Sequence, residues 1–164
     1  MKSIVYVGLG SNVEREKNIR LAIAGMRQNF GTLRLSPVYE SEAIGFDGDD
    51  FLNLVAEFET DTDVRDVVRV LRKIEDQQGR DRSQPRFSPR SIDLDILTYD
   101  ELEMDEEGIQ IPRHEILVNA FVLRPLQDIA PNSLHPLAKQ SYRELWRAME
   151  PTAVHTKTFN LRLD

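Results

Sequence analysis

Apolar positions along the chain recur with two periods, and the switches between them outline the elements. Residues 3 to 9 are rich in β-branched and aromatic types and end at Gly8-Leu9-Gly10, the pattern of a buried strand. Ile19, Ala22, Ile23, Met26 and Phe30 fall at the spacing of a packed helical face. A helix is therefore expected from about Glu16 to Asn29, capped by Ser11 or Asn12 and ended by Gly31. Leu33 to Tyr39 fits a second strand, in which Pro37 favours an edge or a bulge. Phe51 to Glu59 alternates, with Leu52, Leu54, Ala56 and Phe58 as the core row and Phe51, Asn53, Val55 and Glu57 facing the other way. A second helix spans about Val64 to Gln78 on the stripe Val64, Val67, Val68, Leu71 and Ile74, with Glu75 beside it.

From Ile92 the period is again two: Ile92, Leu94 and Ile96 on one side, Asp93 and Asp95 on the other. Asp100-Glu101 reads as a turn with a returning strand at Leu102 to Met104, and Ile109 to Ile111 as another extended piece. Pro112 precedes a helical turn near Glu115 to Val118. Phe121 to Pro125 is expected as a strand end, followed by one helical turn at Leu126 to Ile129. A last helix, Tyr142 to Met149, starts at Ser141 or Gln140 and packs Leu145, Trp146 and Met149. Phe159, Leu161 and Leu163 either add an edge strand or lie on the surface. The order strand, helix, strand, strand, helix, strand predicts an α+β fold: a ferredoxin-like antiparallel sheet with helices on one face and C-terminal additions. The other face is then open for a site or covered by later segments. One domain is expected over residues 1–164, with 152–164 as a peripheral tail.

The totals narrow the function. A chain of 164 residues, 40% hydrophobic and 30% charged, is one globular domain's worth. Its net charge of -7 argues against general binding to nucleic acid or to anionic membrane. With no cysteine, thiolate chemistry and disulfides are excluded. The apolar run Ile4 to Leu9 is too short for a membrane span or a secretory core, so the cytoplasm is the expected compartment. A monomer is expected, a weak homodimer being the alternative. Gly8-Leu9-Gly10 lacks the third glycine of a dinucleotide-binding turn, and no Gly-x-x-x-x-Gly-Lys-Ser/Thr is present, so any nucleotide is held another way.

Charge is unevenly placed. No lysine or arginine lies between Arg34 and Arg65, whereas residues 80 to 90 carry Arg80, Arg82, Arg86 and Arg90 with two prolines and no aliphatic residue. Alternation then puts the carboxylates of Asp93 and Asp95 on one strand face, roughly 7 Å apart along it. Like charges that close repel unless something positive joins them. A hard cation such as Mg²⁺ would do so, and the arginines would face the anion it carries, a polyphosphate fitting both halves. The plainer alternative is a solvent-facing edge strand behind a basic surface loop.

Gly10-Ser11-Asn12 after the first strand, Glu75-Asp76-Gln77-Gln78-Gly79-Arg80, and Pro89-Arg90 followed by Asp93-Leu94-Asp95 resemble the 6-hydroxymethyl-7,8-dihydropterin pyrophosphokinase family over residues 4 to about 135. The resemblance implies a folate-pathway enzyme that moves the β,γ-pyrophosphoryl group of ATP to the pterin's hydroxymethyl oxygen. It implies Asp93 and Asp95 as ligands of two Mg²⁺ ions, and Arg80 and Arg90 as catalytic loop residues that clamp phosphate. Arg82, Arg86 and Glu75 would belong to the nucleotide side, with Arg113 a candidate there too. The pterin would stack between Phe51 and Phe121, with Asn53 and Ser41 on its heteroatom edge and Asn12 and Ile44 completing the pocket. On the residues alone, Phe51 and Phe121 packed on each other or under a loop is the favoured reading.

The chain also departs from the family pattern. Arg113 follows Pro112 where the family usually has histidine, and Asn119 stands where it usually has arginine, which removes a guanidinium fork. Arg113 and Arg124 are the candidates to replace it. Phe87-Ser88-Pro89-Arg90 has serine for the usual glycine, and Glu42-Ala43 replaces a common proline pair. These departures keep a second hypothesis open, a non-catalytic or altered-specificity pterin or nucleotide-binding paralogue. A third, a ferredoxin-like RNA-binding module with Phe51 and Phe121 stacking bases, is opposed by the net charge and by the Asp-Leu-Asp pair.

Overall fold

A computed structural model describes residues 2–42, 50–79, 91–106, 108–153 and 156–163. In chain order the elements are β1 (Ser3–Ser11), α1 (Arg15–Phe30), β2 (Arg34–Leu35), β3 (Val38–Ser41), β4 (Phe51–Thr60), α2 (Val64–Gln77) and β5 (Asp93–Tyr99). Then follow β6 (Met104–Glu106), β7 (Ile109–Ile111), a 3-10 turn (His114–Leu117), α3 (Ala120–Ile129), α4 (Tyr142–Met149) and β8 (Lys157–Phe159). The sheet runs β5-β1-β4-β3-β8, with β2 also on β4 and every pairing antiparallel. This is the expected ferredoxin-like core with an added edge strand from the C-terminal segment.

The second strand of that core is split at Ser36-Pro37, as the proline foretold. Ser36 N–H donates to Val55 O at 2.9 Å and Val55 N–H donates to the Ser36 hydroxyl at 2.8 Å. The serine side chain thus carries pairing that the proline interrupts. On one sheet face, Val5, Val7, Leu9, Leu52, Leu54, Ala56, Phe58, Leu94 and Ile96 bury against the apolar stripes of α1 and α2. On the other, α3 and α4 close Val55 and Leu97 under Leu123, Leu126, Ile129 and Tyr142. Helices therefore cover both faces, and the second layer is made by the C-terminal additions.

A register shift between Tyr6 and Val7 changes which residues of β5 face that second layer. Val7 pairs with Ile96 but Tyr6 pairs with Thr98, so Leu97 is the extra residue of a bulge in β5. Ile92, Leu94 and Ile96 face α1 and α2 and Leu97 faces α3, as plain alternation gives; the bulge turns Thr98 to that same side, where it meets the Tyr142 hydroxyl, and returns Tyr99 to the α1–α2 core.

Three local expectations are corrected. Neither Ser11 nor Asn12 caps α1: β1 runs on through Gly8-Leu9-Gly10 to Ser11, and the cap position falls to Glu14 at φ 39°, with no side-chain cap. Phe121 to Pro125 is not a strand end but lies inside α3. Pro125 has no N–H to return to the preceding turn, yet burial of Ala120, Leu123, Leu126 and Ile129 along one helical face outweighs that loss. The returning strand is Met104–Glu106 rather than Leu102 to Met104, and it pairs with β7 in a separate hairpin. Arg65 holds that hairpin to α2 through Glu106 at 2.7 and 2.9 Å, and Arg72 through Gly108 O at 2.8 Å. His135 is buried: its Nδ1 accepts from Leu137 and Ala138 N–H, and burial lowers its pKa. Ser141 caps α4 in a reciprocal box with Glu144. Among the described residues no helix is long and apolar enough to cross a membrane.

Candidate active site

Residues opposite each other in antiparallel strands share a face. On the face turned away from α1 and α2, Gly10 of β1 lies between Asp93 of β5 and Asn53 of β4, and Gly8 lies between Asp95 and Val55. Two glycines in alternate positions leave a trough along β1, with carboxylates on one bank and an amide on the other. The trough is needed at Gly10: a Cβ there would stand 2.9 Å from Asn53 Oδ1. At Gly8 a Cβ would meet only Leu97 Cδ2, at an ordinary 3.5 Å.

Asp93 and Asp95 therefore do share a face, as alternation required. The Leu94 amide between them points to the free edge of β5, where its N–H donates to Glu75 Oε2 at 2.9 Å. Glu75 is 5% exposed, so its placement on the edge of the α2 stripe brings a buried carboxylate against the strand rather than into solvent. Arg113 approaches from the other side, with Nη1 3.8 Å from Asp95 Oδ1 and its Nε on the Glu115 carboxylate. Its backbone N–H donates to Leu97 O at 2.9 Å, which fixes where the side chain starts.

The Asp95 carboxyl is pushed up to about 6, first by the desolvation of its crowded surroundings. Arg113 opposes that rise, and the charges of Asp93, Glu75 and Glu115 add to it. Because 44% of the side-chain surface still meets solvent, the energetic weight of this crowding is screened, but its direction is that of an acidic cluster short of positive charge.

The opposite bank is built from β3 and β4. Ser41 pairs with Phe51, the last rung of that ladder, and Asn53 pairs with Tyr39. Asn53 Nδ2 donates to Ser41 Oγ at 2.9 Å, and both side chains are buried. Phe51 is half-buried beside them, and Asn12, directly after β1, is 3% exposed. Phe121 and Asn119 lie at the start of α3, the helix packed on this side of the sheet. Arg124 does not serve the site. Its Nη1 donates to Thr156 O and Oγ1 at 2.7 and 2.9 Å, and its guanidinium stacks over Tyr39 and Trp146. Of the two candidates to replace the missing arginine, only Arg113 stands beside the carboxylates.

A cleft of about 150 Å³ follows the free edge of β5. Its walls come from Val68, Leu71 and Glu75 of α2, from Leu94 to Ile96, and from Ile109 of the hairpin, and it opens beside Asp95 and Arg113. Arg80, Arg82, Arg86, Arg90 and Ile44 lie outside the described residues. The sequence reading missed the trough and the part of Glu115. The trough had a signal, since Gly8 and Gly10 alternate with Val5, Val7 and Leu9 within one strand. Glu115 had none, because only folding brings it to Arg113.

The folded chain is thus an α+β domain of ferredoxin-like topology whose sheet face turned away from α1 and α2 pairs an acidic edge with a polar and aromatic bank. A family model described as 7,8-dihydro-6-hydroxymethylpterin-pyrophosphokinase matches residues 6–131. The chain belongs to this family of pyrophosphokinases. It is 33% identical over 142 residues to the 2-amino-4-hydroxy-6-hydroxymethyldihydropteridine pyrophosphokinase of Aquifex aeolicus, covering 85% of this chain and 88% of that one. It is 38% identical over 132 residues to the enzyme of the same description from Pseudomonas aeruginosa, covering 78% and 81%. The solved Plasmodium falciparum HPPK-DHPS with pteroate shares the fold, with a TM-score of 0.74 at 14% identity over 93% of this chain. This chain spans 44% of that longer one. The family match gives no support to the RNA-binding alternative.

Two predictions follow from the trough and the acidic cluster. Gly10→Ala should displace the Asn53 amide and cost about 1 kcal/mol in denaturant unfolding, while Gly8→Ala should cost nothing measurable. Equal losses would show that the trough is not shaped by Asn53. For Asp95, a raised pKa means that the folded state binds the proton more tightly than the unfolded chain, so stability falls as pH rises from about 4 to about 6 and stays lower above. Without added divalent cations, Asp95→Asn should therefore melt higher than the parent by about 2 °C at pH 7.5, with the gap closing near pH 4.

Proposed function

We propose that this protein transfers the β,γ-pyrophosphoryl group of ATP to the hydroxymethyl oxygen of 6-hydroxymethyl-7,8-dihydropterin, releasing AMP. The observation that carries the proposal is the layout across the sheet: the cleft, Asp95 and Asp93, the Gly8–Gly10 trough, then Asn53 with Ser41 and Phe51. Pockets for drug-sized ligands run about 300–1,000 Å³, so a 150 Å³ cleft takes one ring system and not a whole nucleotide. The nucleobase enters there against the strand edge, among the polar groups of Arg72, Glu75, Gln110 and Arg113 that line the cleft. The phosphates then lie over Asp95 and Asp93, and the pterin lies on the opposite bank. The two substrates meet between the carboxylate bank and the amide bank, where Gly10 lets the Asn53 amide lie close over β1.

Magnesium fits this acidic edge. Among the described residues no group of three or more acidic or histidine side chains can hold a cation alone, and Mg²⁺ usually takes one or two carboxylates, keeping water and substrate phosphates for the rest. Two ions held by Asp93 and Asp95 would neutralise phosphate charge and relieve the crowding that raises Asp95. Asn53 and Ser41 offer the donors and acceptors that a pterin edge requires, and Phe51 offers a ring face. The pterin hydroxymethyl oxygen attacks the β-phosphorus, the bond from that phosphorus to the oxygen bridging toward the α-phosphate breaks, and AMP leaves with that oxygen. The hydroxyl proton passes to water. The chain's own contribution is alignment, with Arg80 and Arg90 gripping the phosphates and Arg82, Arg86, Arg113 and Glu75 serving the nucleotide side.

Arg113 favours one other reading, a paralogue that binds without turnover. Its guanidinium already stands 3.8 Å from Asp95, where a cation would otherwise be the chief counter-charge. Product analysis separates the two. With ATP, Mg²⁺ and the pterin, AMP and pterin pyrophosphate should appear in equal amounts, and a folded protein that binds the pterin without forming AMP would establish the paralogue. Asp95→Ala should fold and lose at least about a hundredfold in transfer rate; retained activity would remove the metal assignment. Arg90→Ala should lower turnover more than pterin affinity, since its partner is charge moving on the phosphates.

A further inference from the structure

Arg15 is the first residue of α1, yet its side chain reaches the open end of the β3–β4 ladder. Its Nη1 lies 2.7 Å from Glu40 Oε2 and donates to Asp50 O at 3.0 Å. Glu40 and Asp50 are the residues immediately before Ser41 and Phe51, which form the terminal rung of that ladder. One guanidinium therefore spans the two strands where they separate. Its face lies over the ring of Phe159 in β8, 5.0 Å from the centroid, and Lys157 of the same strand reaches Glu40 at 3.3 Å. The Glu40 side chain is only 13% exposed, and the hydrogen bond from Arg15 foremost, then Lys157, holds its carboxyl below the usual range despite burial.

The end of a strand ladder is where pairing frays first, because its last residues are held from one side only. The β3–β4 ladder ends at the residues assigned to the pterin, so fraying there would move Ser41 Oγ away from Asn53 and turn Phe51 out of register. A lysine could satisfy Glu40 alone; a guanidinium can meet a carboxylate, a carbonyl and an aromatic face together. Residues 157–159 lie beyond the span that the family model matches, 6–131, so this support comes from a part of the chain outside the matched region.

We propose that Arg15 is a positioning residue for the pterin side of the site, and that the C-terminal strand completes its clamp through Phe159 and Lys157. The clamp fixes the Ser41–Phe51 rung and leaves the nucleotide edge alone, since β5 lies at the opposite edge of the sheet. This role rests on the pterin reading of the Asn53 bank given above.

The test is steady-state kinetics with each substrate varied, together with calorimetric binding of the pterin, on parent, Arg15→Ala, Arg15→Lys and Phe159→Ala full-length proteins. Each is assayed well below its own melting temperature. Arg15→Ala should raise the pterin KM and Kd about tenfold, with kcat and the ATP KM within about twofold of the parent. Arg15→Lys should recover part of the loss, and Phe159→Ala should shift the same two constants by a smaller factor. An active parent with unchanged pterin constants in Arg15→Ala, or with ATP and pterin constants moving together, overturns the positioning role and leaves the proposed reaction standing. Should Arg15→Ala fail to fold, Phe159→Ala decides by the same criterion. A parent that neither forms AMP nor binds the pterin overturns the proposed reaction and the positioning role together. If the parent binds without turnover, the Kd comparison alone decides the positioning role.

Discussion

Asp93 and Asp95 project side by side because the backbone between them is held straight on the outermost strand, and the hydrogen bond from Leu94 N–H to Glu75 is central to that hold. An edge strand has no neighbour to fix its outer amides, so a strand carrying two adjacent charges would relieve their repulsion by twisting or peeling. Glu75 supplies the missing neighbour from α2. It does so with a carboxylate, which adds to the negative charge around Asp95 even as it fixes the geometry. The site therefore carries a charge imbalance that Arg113 offsets only partly. An occupant that brings positive charge, such as the proposed Mg²⁺, would relieve that imbalance.

On the proposed reaction, the sheet extends this local constraint into a layout for two substrates. Each cross-strand row carries one residue from each strand, and β1 contributes glycine to the two rows that matter. At Gly10 a side chain would push back the Asn53 amide that lies over the strand. The bulge at Leu97 ends the trough in the same stroke, since beyond it the strand presents Leu97 and Thr98 to α3 and α4 in place of further open surface.

Much of this was legible in the residue pattern. The period-two rows of β4 and β5 placed Asp93, Asp95, Phe51 and Asn53 on the non-core side, and the stripes of α1 and α2 identified their buried faces. What was not legible required knowledge of neighbours. Pro125 suggests a break, and only the packing of Leu123, Leu126 and Ile129 on Val55 and Leu97 shows why a helix continues through it. The cap of α1 was misplaced because β1 is lengthened by pairing with Leu52, which local sequence does not reveal. Arg113 and Arg124 look alike along the chain; one stands by Asp95 and the other is committed to Thr156, Tyr39 and Trp146. Arg15 gave no sign of its reach, since its partners come from β3, the start of β4 and β8.

The edge position of β5 also bears on pairing with other chains. An exposed strand edge is a template for pairing with another chain, and a functional strand cannot be blunted by proline or by a bulge among its working residues. Here the Leu94 amide is bound by Glu75, the Leu97 carbonyl is taken by Arg113 N–H, and the β6–β7 hairpin is drawn alongside by Arg65 and Arg72. The groups that shape the candidate nucleotide edge also block sheet-to-sheet association there. Loosening them for a larger ligand would trade selectivity against colloidal stability.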